Sequence, residues 1–324
     1  MTMIAVILVF IACCSNVIFL EHIIKEVPQS GNLITLSQFL FIAFEGLIFT
    51  IKFGTEKPVI PIKNYLTLVT MFLLVSVSGN YAHSFNIPMP LQMIFRSGSL
   101  IANMLMGFLI LNKRYEMSKY ISVIIITTGI SLCTVASSRN RKVHSNSTTE
   151  TEIWHWFLGL SLLTSSILLA ATMGIYQEAL STKYGKHPKE TLFYCHVLPL
   201  PGFILLSKDI YSNIMEFNNS VPLEIPILGA VPKLWIYLFC NVITQYVCIR
   251  SVFVLTTQYS SLSVTMVVTL RKYISLLISI FYFQNPFTLF HWIGTLLVFI
   301  GTMIFIDIKR AFKKLCKQFE TKVD

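Results

Sequence analysis

The sequence is short of charge, and shortest of acid. Only 12% of its 324 residues are charged, with 15 Asp and Glu against 25 Lys and Arg. A soluble domain carries charge on about a quarter of its residues, so a water-soluble globular protein is excluded. Paired acids, GxSxG, HExxH and a phosphate-cradling glycine loop followed by Lys-Ser/Thr are all missing. No hydrolase, zinc protease or P-loop chemistry is therefore indicated, and the chain is not expected to be an enzyme. Seven cysteines show neither metal-ligand nor disulfide spacing; Cys13, Cys14, Cys133, Cys195, Cys240 and Cys248 lie within apolar runs and Cys316 near the end. They read as small apolar packing residues, and no metal or other cofactor is expected. Soluble segments longer than about 25 residues are also absent, which excludes appended modules.

What is present is hydrophobic length. Of all residues 54% are hydrophobic, and the mean hydropathy is +0.69. Apolar stretches of about 20 residues, the length that crosses a bilayer as a helix, recur between short polar breaks. They predict an all-α membrane protein with ten transmembrane helices, at roughly 3–22, 33–53, 62–84, 88–111, 119–137, 153–175, 191–207, 232–255, 260–283 and 288–308. The seventh is the shortest, and a Gln-Asn-Pro turn at 284–286 separates the last two. The first span has no Lys or Arg before its apolar run and is not expected to be a signal peptide.

The net charge of +10 could suggest nucleic acid, but its distribution excludes that. With a cytosolic amino terminus, the cytosolic loops and tail carry about 15 Lys and Arg and the opposite side about five, which is the positive-inside bias. Both termini are expected in the cytosol, with a basic tail at 309–324 (Lys309, Arg310, Lys313, Lys314, Lys317) beside anionic lipid. Two glycosylation sequons, at Asn146 and Asn218, fall in loops this topology assigns to the lumen; Arg139, Arg141 and Lys142 in the first of those loops run against the bias.

The halves echo each other. "MPLQMIFRSGSLIANMLMGFLILNKRYEMSKYISVIIITTGI" (89–130) and "SLSVTMVVTLRKYISLLISIFYFQNPFTLFHWIGTLLVFIGT" (261–302) each hold an apolar run broken by Arg, an Asn-containing turn, and a span ending near Gly. Arg96 precedes Gly129 by 33 residues and Arg271 precedes Gly301 by 30. A repeat of five spans crosses an odd number of times, so its second copy enters from the other side, as in secondary carriers. The expected organisation is a first repeat over 1–137, a lumenal loop over 138–152, a second repeat over 153–308 and the tail.

The costliest feature is charge inside these spans. Each cation near the middle of a helix costs about 2.5–3.5 kcal/mol on the insertion scale, yet Arg96, Arg271 and Lys272 all lie within spans, with only Glu45 deep enough to oppose them. One acid cannot neutralise three cations, so an anionic ligand in a wet cavity is expected. Arg271 and Lys272 differ by about 100° around a helix; Arg offers a planar fork to phosphate oxygens, and Lys a compact movable charge. A structural ion pair to Glu45 is the competing reading. The seventh span opens "TLFYCHVLPLPG", where Phe193, Tyr194, Cys195 and His196 combine rings with hydrogen-bonding edges suited to a stacked base or sugar; helix packing is the plainer alternative. His155 and His291 each adjoin Trp at a span boundary and read as interfacial anchors.

The stretches "CCSNVIFLE" (13–21), "TLSQFLFIAFEG" (35–46), "MPLQMIFRSGSLIANM" (89–104), "YGKHPKETLFYCHVLPLPG" (184–202), "NVITQYVCIRSVF" (241–253) and "VVTLRKYISLLISIFYFQNPFT" (267–288) resemble subfamily B of the nucleotide-sugar transporters of solute carrier family 35. The resemblance runs through both halves in order. It implies a drug/metabolite-transporter fold with two inverted five-helix repeats, and an antiporter that imports UDP-N-acetylglucosamine or UDP-xylose from the cytosol in exchange for UMP. The family's span-7 base motif, Phe-Tyr-Asn-Asn in GDP-mannose carriers, falls on Phe193, Tyr194, Cys195 and His196, whose departures fit uracil rather than guanine. Its span-9 motif, Gly-Ala-Leu-Asn-Lys, falls on Val268, Thr269, Leu270, Arg271 and Lys272, which implies that Arg271 and Lys272 hold the diphosphate, with Thr269, Arg96 and Glu45 as further substrate-binding candidates. A membrane-embedded transferase using a nucleotide sugar is the rival, but it would need more acids than the spans supply. The implied location is the Golgi membrane, with the endoplasmic reticulum as the alternative; Lys322-Val323-Asp324 resembles a coatomer signal. The expected partners are UDP-sugars, UMP and membrane lipid, with coatomer and a second copy in a homodimer as open candidates and no nucleic acid.

Overall fold

The computed structural model describes residues 2–307 apart from 57, 86, 113, 145–149, 186, 226–228, 259–260 and 286. The Asn146 sequon and the tail at 309–324 therefore lie outside the described residues. The helices are α1 (Thr2–Glu26), α2 (Gly31–Phe49), α3 (Ile62–Ser84), α4 (Met89–Arg96), α5 (Ser99–Leu111), α6 (Met117–His144), α7 (Glu150–Tyr184), α8 (Pro188–Val197), α9 (Ser207–Asn218), α10 (Lys233–Gln258), α11 (Ser261–Phe283) and α12 (Leu289–Ile306). Among the described residues nine helical stretches are long and apolar enough to cross a membrane. The remaining expected span, 232–255, is a continuous 26-residue helix, α10. It carries Asn241, Thr244, Gln245 and Arg250, which lower its hydropathy without breaking it.

Several details differ from the sequence expectation, among them the length of α7, which runs to Tyr184 against an expected end at 175. The fourth span is interrupted at Ser97–Gly98, directly after Arg96. The seventh is broken into α8, a 3-10 segment over Leu200–Leu206, and α9, because Pro199 and Pro201 supply no N–H to continue an α ladder. Helix α6 continues to His144, beyond the expected end at 137. The region 208–231, expected as a loop, holds most of α9 and a small antiparallel hairpin, β1 (Pro222–Ile225) with β2 (Gly229–Pro232), in the register Pro222 to Pro232. Two edge strands tolerate proline, which has no N–H to donate to a ladder. Among the described residues this hairpin is the only strand structure, and the other elements are helical.

The chain divides into two compact units, each drawing on both halves of the sequence. The first comprises Met1–Ile18, Ile87–Trp156 and Val247–Asp324; the second comprises Phe19–Asn86 and Phe157–Tyr246. The first is built on α6 and α12, which approach through small residues as membrane helices do when apolar burial gives no driving force. A Cβ on Gly129 would meet the Gly294 carbonyl at 2.5 Å, and one on Gly301 would meet Ile126 at 2.7 Å. At the start of α12 His291 is 4% exposed. It completes a capping box with Thr288 and lies 2.8 Å from the Ser137 hydroxyl. This corrects the interfacial-anchor expectation: the ring satisfies helix-end donors inside the protein. Cys13 and Cys248 are joined as a disulfide in this unit, which corrects their reading as free packing residues; Cys13 still sits in an apolar cluster with Val9, Leu255, Val264 and Val267.

The second unit is built on α2, α3 and α8, with α9 against α2. Several of its polar groups are paired across helices. Asn32 donates to Asp209 at 2.9 Å, Asn80 donates to Thr35 at 2.7 Å, and Gln38 donates to Asn241 at 2.7 Å. Gly46 admits the Phe193 ring, since a Cβ there would lie 2.5 Å from it.

Candidate functional site

In the first unit, α11 presents one stripe to a cavity of about 180 Å³. Val264, Val268 and Lys272 follow one another at four-residue steps, as do Thr269 and Tyr273, so the α-helical period brings all five to one side. Ser97, Ser99 and Leu100 enter from the interruption between α4 and α5, and Thr302 from α12. Among the described residues the lining thus offers five hydroxyls and one ammonium, and no carboxylate. The Tyr273 hydroxyl donates to Thr302 at 3.2 Å, and Thr302 donates onward to the Val298 carbonyl at 2.6 Å. Hydroxyls and an ammonium together are donors for an anion. The volume is below the ~300–1,000 Å³ of a whole small-molecule pocket, which sizes the cavity for one end of a ligand.

Arg271 points elsewhere, as the ~100° step along a helix requires. Its Nε is buried without a hydrogen-bond partner, and its charge is within electrostatic reach of Cys14, whose Sγ lies 3.4 Å from the Ser275 hydroxyl. Arg96 closes α4 and keeps accessible surface. The charges that act on Lys272 are those of Arg271 and Arg96. Among the described residues no carboxylate pairs with any of the three. An ammonium near two guanidiniums, with no carboxylate paired to it among the described residues, is stabilised when an anion arrives.

The span-7 residues sit in the second unit, in the second half of α8. Phe193 is buried against Gly46. Cys195 is buried in a cluster with Ile60, Tyr65 and Leu68. His196 is 6% exposed; its Nδ1 donates to the Leu192 carbonyl at 2.7 Å, and its ring packs on Phe39 and Phe72. Tyr194 alone of the four is half-buried, with its ring stacked on Tyr65 at a centroid distance of 4.8 Å. Glu45 accepts from the Tyr246 hydroxyl at 2.7 Å. Asn218 ends α9 exposed, its side-chain oxygen accepting from the Trp235 indole at 2.9 Å.

Sequence reasoning missed Ser97, Ser99, Tyr273 and Thr302. Hydroxyls inside apolar spans mostly donate to their own helix, as Thr127, Thr134 and Thr172 do here, so nothing in the sequence marks the few that line a cavity. It also missed Glu21 as a deep acid: α1 continues to Glu26, and Glu21 is fully buried. The signal was its place at the end of the apolar stretch 13–21.

The UAA transporter family matches residues 1–309. The UDP-xylose and UDP-N-acetylglucosamine transporter of Danio rerio is 54% identical over 327 residues, covering 100% of this chain and 98% of that protein. The nucleotide sugar transporter SLC35B4 of Homo sapiens is 53% identical over 309 residues, covering 94% and 93%. A protein of Drosophila melanogaster named endoplasmic reticulum GDP-fucose transporter is 54% identical over 311 residues, covering 93% and 88%.

Proposed function

The chain belongs to the UAA transporter family, and from that premise we propose that it imports UDP-N-acetylglucosamine or UDP-xylose into an endomembrane lumen in exchange for UMP. Membership makes the chain a membrane transporter rather than an enzyme. The names of the Danio and human relatives support a nucleotide-sugar substrate. The observation that carries the reading is the acid-free, hydroxyl-lined cavity at Lys272, which suits phosphate oxygens. Lys272 and Thr269 hold the diphosphate, and Arg271 and Arg96 add positive potential. Tyr194 offers the base a ring face, supported by Phe193, Cys195 and His196; Glu45 has its acceptor role with Tyr246 and is the least supported of the substrate-binding residues. A transferase would need an acid for metal or base, and no lining residue supplies one.

Exchange follows from the charge. An anion that leaves without replacement exposes cations lacking a carboxylate partner, so the empty site reorients slowly and a nucleoside monophosphate speeds its return. The two inverted repeats, 1–137 and 153–308, belong to the same reading, supported by Gly129 and Gly301, the paired positions of the halves, both serving the contact of α6 with α12. Cytosolic termini and Golgi residence complete it, with the endoplasmic reticulum as the alternative suggested by the Drosophila name. A carboxyl-terminal tag protected from protease in sealed vesicles would refute this topology. The decisive experiment is uptake of labelled UDP-sugars and GDP-fucose into proteoliposomes preloaded with UMP, GMP, AMP or nothing. UMP stimulates UDP-sugar entry and AMP does not; equal entry into empty vesicles rules out exchange, and GMP-driven GDP-fucose entry alone rules out the UDP-sugar assignment.

A further inference from the structure

We propose that Glu190 is a positioning residue for base recognition, acting through Tyr65 on Tyr194; this rests on the reading of Tyr194 as the ring that receives the base. Glu190 is in the first turn of α8, where an acid complements the helix dipole or folds back onto its own N-cap. Its carboxylate instead reaches out of the helix. The Val59 and Ile60 backbone N–H groups donate to Oε1, each at 3.1 Å, and the Tyr65 hydroxyl donates to the same oxygen at 3.0 Å. Val59 also approaches Oε2 at 3.2 Å. One oxygen thus ties the segment before α3, and the first turn of α3 itself, to the opening of α8.

The consequence falls on Tyr194. Tyr65 is fully buried, with its hydroxyl fixed by Glu190 and 3.5 Å from the Thr191 hydroxyl. The hydroxyl bond holds the tip of the Tyr65 ring in position and burial on all sides holds its plane, and the Tyr194 ring lies on it at 25° and 4.8 Å between centroids. Glu190 and Tyr194 are four residues apart on α8, so they share a helix face. Carboxylate, buried ring and half-exposed ring form a closed chain that sets the attitude of the exposed face of Tyr194. A base stacks well only on a ring held in place beforehand; otherwise ordering the ring subtracts from binding.

The test uses the reconstituted full-length carrier and four variants. UMP-driven UDP-sugar uptake gives KM and kcat, competition by GMP gives base preference, and the thermal midpoint reports folding. Tyr65→Phe keeps the ring and removes only its anchor; it should raise KM about tenfold, the size of one lost hydrogen bond of about 1.4 kcal/mol, lower the preference for UMP over GMP, and leave kcat within about twofold. Glu190→Ala should do the same, and Glu190→Gln should restore part of the affinity, because the amide oxygen can still accept from the Tyr65 hydroxyl and one backbone N–H. A fall in thermal midpoint with unchanged KM and preference in Tyr65→Phe makes Glu190 a structural staple and overturns the proposal, whether or not Glu190→Ala folds. Tyr194→Ala separates the two failures. If it leaves KM and preference unchanged, the base-binding reading falls and this inference with it. If it changes both while Tyr65→Phe changes neither, only this inference falls.

Discussion

The two units differ in how the charged groups within their spans are met. In the second, acids and amides meet partners: Asp209 with Asn32, Gln38 with Asn241, Glu45 with Tyr246, Glu190 with Val59, Ile60 and Tyr65. In the first, Arg96, Arg271 and Lys272 have no carboxylate among the described residues, and the Arg271 Nε has no hydrogen-bond partner at all. Groups removed from water are normally paired, and a paired network fixes a scaffold. An excess of one sign left unpaired is stable only when something else brings the opposite sign. The first unit is therefore the one expected to respond to an anion, and the second the one expected to respond to packing.

The sharpest way to break this contrast is at Lys272. Lys272→Ala should reduce UDP-sugar uptake at least about a hundredfold, the loss that about 2.7 kcal/mol of charge-assisted hydrogen bonding corresponds to, while the folded yield holds. Lys272→Arg should recover only part, since a planar, bulkier guanidinium changes both fit and release. If Lys272 served instead as a counter-ion to Glu45, removing both charges would restore folding and transport. Full uptake by the Lys272→Ala, Glu45→Ala double variant at matched protein sinks the phosphate assignment.

A smaller effect is expected where packing, not charge, decides. Gly129→Ala puts a methyl 2.5 Å from the Gly294 carbonyl and 2.7 Å from Val298. Backbone gives way poorly, so overpacking should destabilise by about 1–3 kcal/mol, visible as a lower thermal midpoint in detergent. Gly174→Ala is the control: nothing lies within 4 Å of its Cβ position, and its midpoint should not fall. Equal behaviour of the two variants would mean that the approach of α6 to α12 is loose.

The sequence revealed the expensive features and concealed the cheap ones. Long apolar runs and intramembrane cations are costly in any other setting, so the spans and the intramembrane cations were legible. The break after Arg96 was not, because Ser97 and Gly98 are ordinary residues in membrane helices and a Cβ at 98 would meet only the Phe95 carbonyl closely, at 3.0 Å. Cys13 and Cys248 are 235 residues apart, a separation that carries no framework spacing. His291 looked interfacial beside Trp292 because sequence gives its neighbour along the chain, while its partner, Ser137, comes from another helix.

The smallest expected effect tests whether a satisfied pair in the second unit is only scaffold. Tyr246→Phe removes the hydroxyl that donates to Glu45 at 2.7 Å. A hydrogen bond to an ionised group is worth about 1.5–3 kcal/mol when nothing replaces it, but Glu45 is half-buried and water can take over part of the hydroxyl's role. The net loss should be about 1 kcal/mol, a few degrees in thermal midpoint, with UDP-sugar uptake within about twofold of the parent. The phenylalanine ring also keeps its edge contact with Phe41, now at 5.3 Å between centroids, so the helix surface is preserved. A collapse of uptake without loss of folded protein would show that Glu45 must be held to transport, and the division into a responsive first unit and a passive second one would fail at that residue.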